Sequence, residues 1–371
     1  MKIGILTFHR SQNYGALLQA YGLQTFVESL GHQVYMVDYW PTYHRDMYKP
    51  FSWRIFCLTR WISKPKYVLN SIGTYLRLKK RQRNTLFFID SFLHLSKNRE
   101  YDTVLYGSDQ IWRKYFKNNW GDFNPVYWGN DYVKCSHKIA YAASMGEINV
   151  KSSKDETFIK KHLSNFDAVS IREQDLIDYF RETFQIRYQL VCDPVFLINK
   201  EQWKAIVNTS KHPQEKYILY YRLQNLKTID SIVEELARKT NCKVIETRGY
   251  VPLLHYGKRY QFTISAQEFA SLVHGAEYVI TSAFHGVAMS IVFEKQFYYT
   301  SEKNQSNRVQ SLLNILDLEY RIINKSNLDI DTIPAIDYTK VNRKLYQWED
   351  QSRQWLTNQL EKCEYENHIK C

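Results

Sequence analysis

Five short segments hold the side chains best suited to chemistry, and four of them directly follow an apolar run. Phe8-His9-Arg10-Ser11-Gln12-Asn13-Tyr14-Gly15 offers a cation, several hydrogen-bonding groups and a glycine ahead of a helical pattern. It is neither GxGxxG nor a Walker A loop, so the usual dinucleotide and P-loop nucleotide sites lose support. In Tyr106-Gly107-Ser108-Asp109-Gln110 the glycine permits a tight turn, and Ser108 or Asp109 serves as a helix cap or as a ligand to substrate. Ser170-Ile171-Arg172-Glu173 puts a guanidinium at a strand-to-helix turn, where it either grips a phosphate or carboxylate bidentately or pairs with Asp175. Ile280-Thr281-Ser282-Ala283-Phe284-His285-Gly286 carries an imidazole into the first turn of a helix. A histidine there can move protons near neutral pH, beside a helix N-terminus that favours an anion, although structural hydrogen bonding is the commoner role for a single histidine. Asn307-Arg308 opens another helical pattern, with Arg308 either an anion ligand or a solvent-facing arginine. Together these residues describe a basic, histidine-containing cleft for an anionic substrate.

The elements around these segments decide whether they can meet. Ile3–Phe8 reads as a strand, Ala16, Ala20, Leu23, Val27 and Leu30 as a helix closed by Gly31, and Val34–Val37 as a second strand. This β-α-β opening predicts a parallel, doubly wound sheet, whose ligands bind beyond the carboxyl ends of the strands. Further strands are expected at Thr103–Tyr106, Ile139–Ala142, Ala168–Ile171 and Gln189–Cys192. A second alternating series starts at Tyr217, with a capping box in Ser265-Ala266-Gln267-Glu268. The expected fold class is α/β with two Rossmann-like domains, 1–205 and 206–335, followed by a helical tail, 336–371, packed across one of them.

With 371 residues, 44% hydrophobic and 24% charged, and only 13 Gly and 8 Pro, the chain is that of a folded globular protein and not a disordered or collagen-like one. The six cysteines are scattered without CxxC or zinc-site spacing, so neither a disulfide framework nor a metal centre is expected. The N-terminal apolar stretch is too short for a signal peptide, and no apolar run is long enough to span a bilayer. A cytoplasmic location is expected. The net charge of +12 is concentrated between Asp46 and Asp90, where ten Lys and Arg residues meet no acid. Aromatic and aliphatic residues interleave with them over about 47–89, the mixture of an amphipathic insertion lying on an anionic membrane face or of a basic face over a core helix. No nucleic-acid-binding motif accompanies the charge, and no nucleic acid partner is expected. Trp40, Tyr43, Trp112 and Trp128 lie near the candidate loops and are expected to line an acceptor groove.

The ordered set Asn13-Tyr14-Gly15-Ala16-Leu17-Leu18-Gln19-Ala20-Tyr21, Gly107-Ser108-Asp109-Gln110-Ile111-Trp112, Ile139–Gly146, Ser170-Ile171-Arg172-Glu173, Asp193-Pro194, Phe284-His285-Gly286 and Asn307-Arg308 resembles the polysaccharide pyruvyl transferase family. The resemblance implies a GT-B-like, two-domain fold. It also implies transfer of the enolpyruvyl unit of phosphoenolpyruvate onto two hydroxyls of a sugar as a cyclic ketal, with release of phosphate. The implied acceptor is a polyprenyl-diphosphate-linked oligosaccharide at the inner face of the plasma membrane, and no cofactor is required. Carried over by motif, His285 is the general acid or base and Arg172 the ligand of donor carboxylate or phosphate, assisted by Arg308. Asn13, Tyr14, Gly15, Ser108, Asp109, Gln110, Ser282, Phe284 and Gly286 are the implied substrate-binding residues. Many members carry Asp-Ser before Phe-His-Gly, whereas this chain has Ser282-Ala283, which removes a carboxylate that could orient the imidazole. A glycosyltransferase using a nucleotide sugar and a non-catalytic basic surface-binding protein are the competing expectations.

Overall fold

Short apolar runs alternate with amphipathic stretches along almost the whole chain, a pattern that buries strands on both faces and so favours parallel sheets. The computed structural model describes residues 1–48, 65–114, 122–150, 152–211, 213–223, 227–251, 259–300, 307–323 and 333–370. The first part of the basic stretch, 49–64, therefore lies outside the described residues.

The N-terminal half runs β1 (Lys2–Leu6), α1 (Tyr14–Ser29), β2 (Gln33–Val37), α2 (Thr42–Met47), α3 (Pro65–Phe92), β3 (Leu95–Ser96), β4 (Glu100–Tyr106), β5 (Lys134–Ala143), α4 (Ser153–Leu163), β6 (Ala168–Ile171), α5 (Gln174–Phe184), β7 (Gln189–Leu190) and α6 (Lys200–Lys204). The C-terminal half continues with β8 (Tyr217–Arg222), α7 (Lys227–Thr240), β9 (Lys243–Arg248), α8 (Ala266–Gly275), β10 (Tyr278–Thr281), α9 (Phe284–Val292), β11 (Gln296–Thr300), α10 (Asn307–Ile315), β12 (Ile322–Ile323) and α11 (Tyr338–Lys370). Among the described residues, the strands form a parallel seven-stranded sheet in the order β3-β2-β1-β4-β5-β6-β7 and a parallel five-stranded sheet in the order β12-β11-β10-β8-β9. The chain is α/β with two Rossmann-like domains, the GT-B-like architecture expected. Strand order reverses between β1 and β4 in the first sheet and between β8 and β10 in the second. Crevices open at such reversals, and the loops after β1, β4 and β10 carry three of the five chemistry-bearing segments.

α1 joins the two sheets. Twelve of its sixteen residues are buried, because one side covers the first sheet and the other meets α8 and α9 of the second domain. Gly22 lets the backbone of α1 approach the turn at Pro194–Phe196, where an added Cβ would lie 2.5 Å from the Pro194 carbonyl oxygen. Apolar side chains of both domains form one continuous cluster around this helix, from Ile3, Leu17 and Val27 to Tyr217, Leu219 and Phe269.

α11 corrects the expectation that the tail crosses one domain, because it spans both. Its first turn is tied to the second domain, where Tyr338 Oη donates to Lys295 O at 2.5 Å and Asn342 Nδ2 to Glu294 Oε1 at 2.8 Å. Further along, Arg353 donates to the carbonyls of Leu197 and Phe196 at 2.8 and 3.0 Å, and Ser352 Oγ accepts from Cys192 N at 2.9 Å. A helix of 33 residues is about 50 Å long, enough to reach from one sheet to the other.

Candidate active site between the two domains

The loops at the first strand reversal are tied together before any ligand is considered. Gln19 Nε2 donates to Thr7 Oγ1 at 2.9 Å, Thr7 Oγ1 donates to Ser108 O at 3.1 Å, and Ser108 N donates to Gln19 Oε1 at 3.2 Å. The loop after β1 and the loop after β4 thus hold each other in register through one buried glutamine. Asn13 caps α1, accepting from Gly15 N at 3.0 Å. Gly15 is the floor for the imidazole arriving from the other domain: a Cβ placed there would lie 2.0 Å from His285 Nδ1.

Asp193, fully buried after β7, is the hub of the site. Its Oδ2 accepts from Arg172 Nη1 at 2.5 Å and from Ser108 Oγ at 3.3 Å, and lies 3.6 Å from His285 Nε2. Its Oδ1 accepts from Val195 N at 3.1 Å, so the carboxylate is fixed at both ends. Burial alone would raise its pKa, but His285, Arg172 and the backbone amide outweigh burial and hold Asp193 below the usual carboxylate range. Glu173, equally deep, goes the other way: burial outweighs Arg172, Arg308 and the Ser144 hydroxyl, and its pKa is raised. Glu173 Oε1 accepts from Ser144 Oγ at 2.6 Å, while Oε2 faces Arg172 Nε at 3.6 Å.

Arg172 and Arg308 both lie against the Phe284 ring, their guanidinium carbons 5.1 and 5.8 Å from its centroid. Loss of water, followed by the neighbouring Arg172 charge, lowers the pKa of Arg308, which marks two like charges held close. Arg172 Nε and Nη2 and His285 Nε2 are buried and make no hydrogen bond. Arg172 Nε and His285 Nε2 each face a carboxylate at 3.6 Å, which leaves Arg172 Nη2 as the buried donor with no hydrogen-bond partner among the described residues. His285 stands in the first turn of α9, whose N-terminal amides add to the preference for an anion.

Arg172, His285, Arg308, Ser108, Phe284 and Gly15 therefore converge, with Asp109 beside them in left-handed backbone geometry at φ 67°. Other expected residues serve the scaffold. Tyr14 stacks on Phe269 with centroids 4.9 Å apart and shares a hydrogen bond of 3.3 Å with Thr247, which ties the domains together. Ser282 Oγ accepts from Leu223 N at 2.9 Å, fixing the loop after β8 to the loop after β10. Gly286 leaves room for Thr281, and Gln110 lies over Gly146 while accepting from Arg113. Trp112 and Trp128 do not line a groove: fully buried, they stack on each other at 4.5 Å in the first domain's core. Trp40 and Tyr43 are half-buried near Arg10 and Asn124.

Three residues of the arrangement escaped the sequence reading as functional groups. Asp193 and Glu173 stood inside recognised motifs, but their role depends on partners that only the fold brings near. Arg81 stood in the basic stretch, yet it is fully buried and donates to the carbonyls of Arg248, Phe262, Gln12 and Gly249 at 2.9–3.3 Å. Next to the site, His9 and Arg10 form a second cluster on Asp38, with Arg10 bidentate at 2.8 Å and His9 Nε2 at 3.7 Å. These two side chains hold Asp38 well below the usual carboxylate range.

Fold and site thus define a two-domain α/β protein with a buried Arg–His–Asp cluster between its domains. A family model, Polysaccharide pyruvyl transferase, matches residues 13–304, more than half of the chain, and the chain belongs to this family of transferases. Comparison with curated proteins finds no match. Among solved structures, the chain is similar to a UDP-GlcNAc 2-epimerase from Neisseria meningitidis bound to UDP-GlcNAc, at 10% identity and a TM-score of 0.45, covering 95% of this chain and 93% of that one. It is also similar to S. aureus MnaA in a structure with UDP, at 10% identity and a TM-score of 0.44, covering 87% of this chain and 84% of that one. A third is the spinosyn forosaminyltransferase SpnP, at 10% identity and a TM-score of 0.37, covering 96% and 95%.

Proposed function

We propose that the protein transfers a pyruvyl group from phosphoenolpyruvate onto two hydroxyls of a sugar as a cyclic ketal, releasing phosphate. The observation that carries this reading is the buried gathering of Arg172, Arg308 and His285 around Phe284, in which Arg172 Nη2 makes no hydrogen bond. A planar guanidinium with Nη2 open suits a carboxylate or phosphate oxygen, and the donor presents both groups. Arg308, against the same Phe284 ring, supplies a second cation for the same trianion.

In the proposed sequence, His285 serves as proton carrier to the donor's methylene carbon. Protonation there makes the methyl group and leaves oxocarbenium character at C2, balanced by the donor's own carboxylate and phosphate and by the Asp193 carboxylate 3.6 Å from His285 Nε2. One sugar hydroxyl adds to C2 and loses its proton, the C–O bond to phosphate breaks, and a second hydroxyl closes the ring. The two hydroxyl protons balance: one ends on the new methyl group by way of the imidazole, the other on phosphate. Donor and acceptor carry all the reacting bonds, so the scheme needs no cofactor. The acceptor in this reading is a lipid-linked oligosaccharide of bacterial surface polysaccharide biosynthesis.

Melting of the purified protein with and without millimolar phosphoenolpyruvate tests the donor. A ligand that binds only the folded chain raises Tm by an amount set by its concentration over Kd. The expected result is a rise in wild type that is lost in Arg172→Ala, followed by phosphate release when a lipid-linked oligosaccharide is added. A rise with a nucleotide sugar and none with phosphoenolpyruvate overturns the reading.

A further inference from the structure

α3 has two faces, and its fold uses one of them. Thr74, Arg81, Thr85, Phe88 and Ile89 point inward and are buried. Ile72, Tyr75, Leu76, Lys79, Lys80, Arg83, Leu86 and Phe87 recur every three or four residues on the opposite side and are exposed. Ile72 is 53% exposed, Leu76 60% and Phe87 56%, so five large apolar side chains share one strip of surface with three cations. The strip runs for about 22 Å at 1.5 Å per residue. An apolar patch of this extent on a folded protein marks an interaction surface.

We propose that this strip seats the protein on an anionic lipid bilayer. The arrangement of charge selects that occupant. Lys79, Lys80 and Arg83 stand in the middle of the apolar residues, and the only acid of the helix is Asp90 near its end. A protein interface of comparable apolar content is depleted in lysine at its centre. On a membrane the same mixture is favourable, because Leu, Ile and Phe enter the acyl boundary while lysine and arginine reach outward to lipid phosphates. The surface is also prearranged. Arg81 bonds four carbonyls, and Asn84 Nδ2 donates to Thr263 O at 2.6 Å, so the helix is held from behind and needs no folding on contact. One of the Arg81 bonds goes to Gln12 O, in the loop that carries Asn13 and Gly15 under His285. A membrane on the outer face of α3 thus lies one helix thickness behind a loop of the candidate site. The surface itself is independent of the donor reading and stands or falls separately.

Co-sedimentation of the full chain with vesicles tests the proposal, comparing phosphatidylcholine alone with phosphatidylcholine containing about 30 mol% phosphatidylglycerol. The expected result is binding to the anionic vesicles that weakens as salt rises. Lys79→Glu/Arg83→Glu should lower the partition at least about twentyfold, at about fivefold per surface charge removed. Leu76→Ser/Phe87→Ser should lower it about tenfold or more through lost apolar burial. Lys216→Glu/Lys340→Glu makes the same change in net charge on exposed residues elsewhere and should leave binding nearly unchanged. Each variant is checked for an unchanged melt and for the phosphoenolpyruvate-induced shift, which separates loss of the surface from loss of the donor site. Equal binding to both vesicle types, or equal loss in the Lys216/Lys340 control, overturns the proposal. So does a stable dimer by light scattering that Leu76→Ser/Phe87→Ser converts to monomer, because a second copy would then cover the strip.

Discussion

Asp193 and Glu173 lie on either side of one guanidinium, yet burial and charge pull them in opposite directions. The charged form of Asp193 is needed to balance Arg172, so Asp193→Asn should lower kcat by about 100-fold or more, with His285→Ala at least as severe. Steady-state phosphate release measures both. Stability gives an independent check. The folded pKa of Asp193 lies below the unfolded value of about 3.9, so its contribution is present above about pH 4 and is lost as pH falls through the folded pKa. Urea melts should therefore show a constant gap between wild type and Asp193→Asn from pH 7 to about 5, narrowing in stronger acid. His44 gives a signal of the same sign in a higher pH window. Burial against Phe8, with ring centroids 4.5 Å apart, pushes its pKa down to about 4. Between about pH 6.5 and 4 the unfolded chain takes up a proton that the folded chain refuses, so acidification costs up to about 3 kcal/mol there. His44→Phe should flatten that part of the stability curve. At this scale the sequence displayed Arg172 and His285, but not what orients them. The carboxylate expected beside Phe-His-Gly is replaced by Ser282-Ala283, and Asp193 supplies one from the other domain.

Among the elements, α1 shows how a helix can be structural and functional at once. Both of its faces are buried, so its two interior glycines mark close approaches: Gly22 to a backbone carbonyl and Gly15 to the His285 ring. Gly15→Ala forces the imidazole or the helix to move, and loss of turnover comparable to His285→Ala is expected, together with a lower Tm. Gly22→Ala meets backbone and should destabilise without that selective loss, and melts paired with phosphate-release assays separate the two. Much at this scale was legible. The β-α-β opening and the Ser265–Glu268 capping box occur where periodicity put them, because those signals are local. α3 was half legible: composition showed a basic, aromatic helix but could not tell Arg81, buried among carbonyls, from Arg83, in solvent. Trp112 and Trp128 misled because loop position was read as exposure, whereas their mutual stacking fills the core beneath the loop.

For the molecule as a whole, the site exists only while the domains hold their present relation, since His285 comes from one and Arg172 and Asp193 from the other. Part of that relation is apolar, through the shared cluster around α1, and tolerates small adjustments of packing. Arg81 is less forgiving. Its guanidinium reaches Gln12 O in the first domain and Arg248, Gly249 and Phe262 carbonyls in the second, and it lies over the Tyr14 ring at 5.0 Å. Truncation would leave several buried carbonyls unsatisfied at once, a loss on the order of 3 kcal/mol. The cost falls on the interface and not on either domain's own core. Arg81→Met keeps most of the volume and should therefore turn one calorimetric transition into two overlapping ones, or broaden it. Donor binding should weaken in parallel, although none of the residues proposed to hold the donor has changed. A variant that melts as a single, lower but equally sharp transition would instead make Arg81 an ordinary core residue, and the apolar cluster alone would then hold His285 opposite Asp193.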